Sequence, residues 1–580
     1  MILNLKPTPF SFRERIGLLI LLFAGAIGLY AGWRLFWFLT DDAFIAFRYV
    51  SNSILGHGYV WNPPPFRPVE GYTSFLWVAF LDGVWRTLGI EPPVSANWLA
   101  LAFSGLTLLL ASAMVLQLRW SDRLRSYRVG FVALLLLGTL TNRTFLAWTS
   151  SGLETAMFNF FVTLWLYAAL FRPPLSSASS ILMLSTASAA VALTRPDGYL
   201  YAAAAVGLTG MTLLKERGRL CWTWFLATLP FGIPVLHALW RRHFYGTWLP
   251  NTYYAKRTTA WPESGGNYLH SFVLEYALWF WLAIMGVILL RHAWCYLRDG
   301  RSVRISDRPS GFQAVYELGV RLIPVLTLAF HLLFYTLLIG GDHFEYRVLS
   351  HLIPLLFVAL IWAVNSVEWR LTPALGTVLA CICLSWPVPW VHWAAAQRRD
   401  ARPYAPEMAR EMILGPVPIE HAFPKALRGY TRAFDQLQDW MLLHYVCVRY
   451  HGHRYFWRQQ VADSPSREEG LGMSGEDFPV LATHTVGILG WVLPRVNIID
   501  LHGLNDYVVA RTPHPWYMTR HMAHERYPPS GYVEDFVPNV TLEGKKITVT
   551  PRAKALTAAD IIAIERRWVQ KVGQPLTPSR

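Results

Sequence analysis

The sequence predicts an all-α polytopic membrane domain of about eleven transmembrane helices, followed by a mixed α/β domain outside the membrane. Three observations carry that prediction. Hydrophobic residues make up 53% of the 580-residue chain and charged residues only 15%, whereas soluble proteins average about 25% charged. Apolar runs close to the ~20 residues that span a hydrocarbon core of roughly 30 Å recur as far as residue 392. Beyond residue 393 those runs stop and charge returns. The composition excludes a disordered chain, a collagen, a coiled coil and a nucleic-acid module, so no nucleic-acid partner is expected. The net charge of +15 is explained first by basic loops on the cytoplasmic side of a membrane.

The first run, Ile16–Leu39, follows Lys6, Arg13 and Arg15. It outlasts the roughly 7–15 apolar residues of a signal-peptide core and reads as a retained anchor, with Arg34 near enough to its end to snorkel. Further runs lie at 94–118, 130–148, 156–171, 178–194, 198–214, 221–240, 269–290, 321–340, 348–365 and 373–392. Tyr72–Leu88 is ambiguous because it carries Asp82 and Arg86. If it lies flat on the membrane, the cluster Arg119, Arg123, Arg125 and Arg128 falls inside. So do Arg172, Lys215, Arg217, Arg219, Arg321, Arg370 and the run Arg291, Arg298, Arg301, Arg304 and Arg308. If it crosses, the 119–128 and 291–308 groups move outside, against the positive-inside rule. The expected topology is therefore eleven spans in a bacterial cytoplasmic (inner) membrane, with the N-terminus cytoplasmic. Residues 1–392 form the membrane domain, with an external loop 41–93 carrying the interfacial helix. Residues 393–580 form an extracytoplasmic domain, entered through QRRDARP. There, VNIID and KITVTP predict strands, and Glu407–Leu414 and Ala558–Val569 predict helices. The five cysteines (221, 295, 381, 383 and 447) form no CxxC pair or disulfide framework.

On this topology Asp41, Asp42, Arg48, His57, Glu70, Glu154, Arg195, Asp197, Asn251, Lys256, Asp342, His343, Glu345 and Arg347 all reach the external face. Ionisable groups at membrane depth are expensive and tend to line a cavity or pathway, although polar loops account for part of the pattern. Asp41 and Asp42 repel one another, which raises a carboxylate pKa toward that of a general base. Either could equally cap the helix that follows. His57 and Glu70 are substrate contacts or loop struts, and Glu154 stands where a helix cap would. In LTRPDG the hairpin explains Pro196 and Gly198, but not Arg195 beside the membrane. LPNTYYAKR, near Arg241 and Arg242, places Asn251, Lys256 and Arg257 against the positive-inside trend, which suits an anionic lipid headgroup or phosphate. GGDHFEYR gathers Asp342, His343, Glu345 and Arg347. Such a cluster can hold a metal, but HxxxH and HExxH spacings are lacking. No metal ligand is assigned, and a divalent cation is the one cofactor left open. GxSxG, Walker A and GxGxxG motifs are absent, and an external site has no access to cytoplasmic nucleotide-sugars.

The strings DDAFIAFRY, GHGYVWN, VEGYTSFLW, SGLETAMF, LTRPDG, LPNTYYAK, GGDHFEYR and IIDLHGLND together resemble the GT-C membrane glycosyltransferases. More narrowly, they resemble the terminal β-(1→2) arabinofuranosyltransferase family of mycobacterial arabinan synthesis. The resemblance implies transfer of a sugar, arabinofuranose in that family, from a polyprenyl-phosphate donor to a hydroxyl of a glycan, lipid or protein acceptor outside the membrane. It implies Asp41 and Asp42 as catalytic carboxylates and Arg195, Lys256 and Arg347 as ligands of the donor phosphate. Arg48, His57, Glu70, Glu154, Asp197, Asn251, Asp342 and His343 would contact substrate. AHERYPP departs from the family's Gly-His string by having Ala523. A flippase or transporter of lipid-linked sugars, an oligosaccharide ligase or polymerase, and a structural envelope subunit are the competing classes.

Overall fold

The computed structural model describes residues 9–171, 177–217, 221–256, 259–299, 311–400, 409–514 and 518–573. The expectations for Lys6, Arg172, Arg219, Arg257, Arg301, Arg304, Arg308 and the first two residues of the 407–414 helix lie outside them.

Helix α1 (Phe12–Leu35) starts at a capping box: Ser11 Oγ accepts the Glu14 N–H and Glu14 accepts the Ser11 N–H. Next come α2 (Asp41–Ile54), α3 (Phe75–Leu88), α4 (Pro92–Leu116), α5 (Arg128–Leu140), α6 (Arg143–Ala147) and α7 (Thr155–Leu166). A π-helical turn, Tyr167–Phe171, extends α7. Then follow α8 (Ala178–Thr194), α9 (Tyr199–Lys215), α10 (Trp222–Thr228), α11 (Gly232–Tyr245), α12 (Asn251–Lys256), α13 (Pro262–Glu275) and α14 (Leu278–Asp299). The membrane-type half closes with α15 (Gly311–Leu333), α16 (Leu352–Ser366), α17 (Leu371–Leu384) and α18 (Pro387–Asp400).

Among the described residues seven helices are long and apolar enough to cross a membrane: Phe12–Leu35, Pro92–Leu116, Trp222–Tyr245, Leu278–Cys295, Val315–Ile339, Arg347–Ser366 and Leu371–Arg399. Thr155–Phe171 and Ala178–Thr194 are shorter apolar helices. Side chains such as Leu282, Val287, Leu290, Leu318, Val325 and Phe330 stand exposed on these helices, as a lipid-facing surface requires.

Two expected spans differ from the helices observed. The run 130–148 breaks at Asn142, whose side chain accepts the Phe145 N–H and opens α6. The run 269–290 breaks after Glu275, a fully buried carboxylate paired with Arg449 at 2.8 Å, and Ala277 turns the chain at φ 48°. Helix α3 has 14 residues, about 21 Å of rise, and is too short to cross. The charges that made it ambiguous are paired: Asp82 accepts Arg86 Nε at 3.0 Å and the Tyr59 hydroxyl at 2.9 Å.

The rest of the chain comprises α19 (Ala409–Leu414), α20 (Arg428–Leu443), α21 (Tyr450–Asp463), α22 (Arg467–Gly472), β1 (Val480–Thr483), α23 (Gly487–Val492), β2 (Asn497–Asp500), α24 (Tyr532–Asp535), β3 (Val540–Glu543), β4 (Lys546–Val549) and α25 (Ala558–Gly573). β1 and β2 pair in parallel from Val480↔Asn497 to Thr483↔Asp500, and β3 and β4 pair antiparallel. The division expected at 392/393 falls inside α18. One hydrophobic core joins Phe36, Phe47, Trp77 and Trp148 to Tyr450, Ile488, Trp491 and Ile498, so the C-terminal residues are packed onto the helical bundle.

Candidate active site

The adjacent carboxylates at the start of α2 are divided between two tasks. Neither caps its own helix, because Thr40 Oγ1 accepts the Ala43 N–H at 3.2 Å and takes that place. Asp41 instead receives the N–H groups of Ile488 (2.8 Å) and Gly487 (3.2 Å), the first turn of α23. The approach is so close that a Cβ on Gly487 would stand 1.9 Å from the Asp41 carbonyl oxygen; only glycine fits. Burial, with Asp42 and Asp500 nearby, pushes the Asp41 carboxyl up to about 7, against the opposing pull of the two N–H groups. Asp42 has no hydrogen-bond partner among the described residues, and its charge acts on Lys256 and His343.

A pH dependence follows for Asp41. Its folded pKa of about 7 lies above the ordinary 3.8, so the folded protein binds the proton that the unfolded chain releases, and stability falls as pH rises between those values. Relative to wild type, Asp41→Asn should gain thermal stability from about pH 4 to about pH 7 and stay level above. The gain is on the order of a few kcal/mol, at about 1.4 kcal/mol per pKa unit. Melting curves of the two proteins in detergent across that range check it; a constant difference would refute the assignment.

The cations converge from three segments. Arg195, extended at the break between α8 and α9, donates Nε to Asp197 (3.1 Å), Nη1 to Glu154 (3.0 Å) and Nη2 to the Tyr335 hydroxyl (2.7 Å). Asp197 is held in turn by His331 (2.8 Å) and Tyr335 (2.9 Å). Two of the five Arg195 N–H groups remain without an acceptor among the described residues. Arg347 makes a fork to Asp342 at 2.8 and 3.2 Å, with its guanidinium 4.3 Å from the centroid of the Phe344 ring and Nη1 uncommitted. Burial pushes the ammonium pKa of Lys256, at the end of α12, down; Arg347 and Arg195 push the same way, and Asp42 and Asp342 oppose them. It nevertheless keeps exposed surface.

The GGDH turn is fixed by backbone. Gly340 and Gly341 have φ 90° and 97°, and a Cβ on either would lie 2.8 Å from Trp261 or Tyr268. The turn is stitched to residues 445–448: Cys447 N–H donates to Asp342 O, Val448 N–H to His343 O, and Glu345 N–H to Val448 O, at 2.7–3.0 Å. His343 Nδ1 lies 2.7 Å from Tyr445 O. A carbonyl only accepts, so Nδ1 carries the proton. Burial holds the ring pKa down, and Nε2 presents a bare lone pair.

Asp42, Glu154, Arg195, Asp197, Lys256, Asp342, His343 and Arg347 are thus brought together, with Glu154, Asp197 and Asp342 orienting arginines rather than reaching past them. Four predicted contacts are not in this group. Arg48 is fully buried and spends its five N–H groups on Trp61 O, Gly490 O, Leu493 O, Val496 O and Asn62 Oδ1, so it fastens the C-terminal region to α2. Asn251 donates to Gly503, Leu504 and Asp506 carbonyls and accepts from Arg511, leaving nothing for a substrate. Glu70 is buried against Arg241 at 2.5 Å, and burial pushes its carboxyl up to about 7. His57 is exposed in the turn after α2. Glu345 is a core ion-pair member, shared by Arg143 and Arg449; burial works to raise its pKa, but their positive charge and the Tyr450 N–H outweigh it and lower the value to about 2.

Sequence reasoning missed His331 and Tyr335, which sit in an apolar run, and three histidines of the C-terminal region. His524 stacks edge-on against His343 at 5.1 Å, His502 against His524 at 4.8 Å, and His484 lies 4.8 Å from His502. The strings IIDLHGLND and AHERYPP hold two of them. Among the described residues no group of three or more His, Cys, Asp or Glu side chains converges as a cation site.

These features define a helical membrane protein with a carboxylate that is unpaired among the described residues, three cations and neutral histidines gathered where the C-terminal region meets the bundle. Its sequence is similar to curated terminal β-(1→2)-arabinofuranosyltransferases. The enzyme of Corynebacterium glutamicum is 26% identical over 388 residues, 62% of this chain and 53% of that protein. The enzyme of Mycobacterium tuberculosis is 28% identical over 348 residues, 55% of this chain and 51% of that protein. The chain spans about half the length of these relatives. No family model matches it. Among solved structures, ArnT from Cupriavidus metallidurans bound to undecaprenyl phosphate superposes with a TM-score of 0.46 at 12% identity, over 83% of this chain and 86% of that one; a likeness this loose says nothing about function.

Proposed function

We propose that the protein is a GT-C-type glycosyltransferase of the bacterial cytoplasmic membrane. It transfers a sugar, arabinofuranose by the names of its relatives, from a polyprenyl-phosphate donor to an acceptor hydroxyl at the outer face. One observation carries the reading: a carboxylate without a hydrogen-bond partner among the described residues, Asp42, stands in the same electrostatic cluster as Lys256, Arg195 and Arg347. Glycosyl transfer from a phosphate needs both halves of that arrangement.

In this mechanism Asp42 takes the proton of the acceptor hydroxyl. The acceptor oxygen bonds to the anomeric carbon as the bond from that carbon to the phosphate oxygen breaks, and the electron pair leaves with the polyprenyl phosphate. The uncommitted N–H groups of Arg195 and Arg347 and the Lys256 ammonium stabilise the charge developing there. Preorganised donors of this kind commonly contribute about 3–4 kcal/mol each. Glu154, Asp197 and Asp342 fix the two guanidinium planes in advance, so little reorganisation is left for the reaction.

The test is transfer by detergent-purified protein from synthetic polyprenyl-phosphoryl arabinofuranose to a panel of glycan acceptors. The expected result is a glycosylated product and released polyprenyl phosphate. Intact donor with every acceptor, alongside donor translocation in proteoliposomes, would replace the reading with a flippase.

A further inference from the structure

Three imidazoles along one wall of the site are left with bare ring nitrogens. His343 commits Nδ1 to Tyr445 O. His524 commits Nδ1 to Met522 O at 2.8 Å, so its Nε2 is also a lone pair. His502 is hydrogen-bonded to the backbone of Arg526, and its Nδ1 is buried without a partner. The rings touch in sequence, at 5.1 Å from His343 to His524 and 4.8 Å from His524 to His502.

Each ring is held in place by backbone. His502 follows Asp500, whose carboxylate accepts the N–H groups of His502, Gly503 and Asn505 at 2.9–3.1 Å and so shapes the loop. His524 follows Ala523, which adopts φ 64°. An alanine in that left-handed conformation costs roughly 1–2 kcal/mol, strain of the kind retained where a loop must present a particular group. Burial depresses the pKa of all three rings, so at neutral pH their free ring nitrogens are hydrogen-bond acceptors.

An acceptor wall does not suit a phosphate, which also only accepts and is matched by Arg195, Lys256 and Arg347. It suits hydroxyl groups, which donate, and the aromatic rings offer flat surface to the C–H faces of a sugar. We propose that His343, His524 and His502 form the acceptor-glycan subsite, with His524 and His502 accepting hydrogen bonds from hydroxyls of the sugar that flanks the reacting one. This rests on the glycosyltransferase reading and gives that site its second substrate. It also assigns the C-terminal region, together with His343, the work of reading the acceptor, while Arg195 at the α8–α9 break, Lys256 of α12 and Arg347 hold the donor.

The experiment measures binding apart from turnover. A synthetic arabinofuranosyl oligosaccharide and decaprenyl phosphate are titrated separately into wild type, His524→Ala, His502→Ala, and the acceptor-preserving His524→Gln and His502→Asn. Each alanine should weaken the oligosaccharide by about tenfold, the loss of one buried hydrogen bond, with decaprenyl phosphate affinity unchanged, which also shows that the variant is folded. Gln and Asn, which restore a carbonyl oxygen near the lost nitrogen, should recover most of the affinity. Equal losses for both ligands, no recovery by Gln or Asn, or no oligosaccharide binding by wild type would each overturn the subsite. So would oligosaccharide binding that a chelator abolishes and a divalent cation restores, which would make the histidines cation ligands. Failure of the parent reading looks different: wild type binds the oligosaccharide but never glycosylates it from the lipid donor.

Discussion

Asp42→Asn is expected to abolish transfer while leaving the fold and donor binding intact. The substitution is nearly isosteric, and Asp42 has no hydrogen bond to lose among the described residues, so no packing change competes with the chemical one. A general base contributes typically 10²–10⁴-fold to a rate, and the reduction should fall within or beyond that range. Asp41→Asn is the informative companion. It keeps one oxygen for the Ile488 or Gly487 N–H and should retain most of the rate. If Asp41→Asn is instead the inactive variant and Asp42→Asn turns over, the roles are reversed, and the close contact with α23 would have to open during catalysis.

Arg195→Ala is expected to produce the second large effect, in both activity and stability. Removing the guanidinium strips the leaving phosphate of a cation, worth about 10²–10³ in rate if it acts as other preorganised donors do. It also leaves Glu154 and Asp197 buried without their partner, and breaking a buried pair from one side costs roughly 3–5 kcal/mol. The double variant Arg195→Gln with Glu154→Gln separates the contributions, since it removes both charges of that pair together. It should recover much of the melting temperature and none of the activity; recovery of both would make Arg195 purely structural. Arg195→Lys is expected to fail as well, because a point charge cannot reach Asp197, Glu154 and Tyr335 as a planar fork does.

The carboxylates of the first external loop show how far the sequence reaches. Adjacent acids after an apolar run announce either a base or a cap, and residue types alone do not choose. What distinguishes them lies 446 residues downstream, where Gly487 brings an N–H to Asp41, while Asp42 has no hydrogen-bond partner among the described residues. In the sequence Arg48 and Asn251 are not distinguishable from Arg195 and Lys256: each is a polar group in an external loop or near a span end. Which of them keeps free donors depends on whether carbonyls from residues 490–506 arrive to consume them, as they do for Arg48 and Asn251, and that is a matter of long-range packing.

By itself the sequence determined the membrane character, a short helix within 72–88, the strands at VNIID and KITVTP, and the resemblance to arabinofuranosyltransferases. These are set by local hydropathy, period and turn chemistry, which act over a few residues at a time. The tertiary structure alone decided the break of the 269–290 run at a buried Glu275, the packing of the C-terminal region onto the bundle, and the hydrogen bonds that tie Asp41 to α23. It also decided the meeting of His343 with His524 and His502. Those outcomes depend on which distant backbone groups compete for each side chain, and hydrogen bonds between residues hundreds of positions apart leave no periodic trace in the chain.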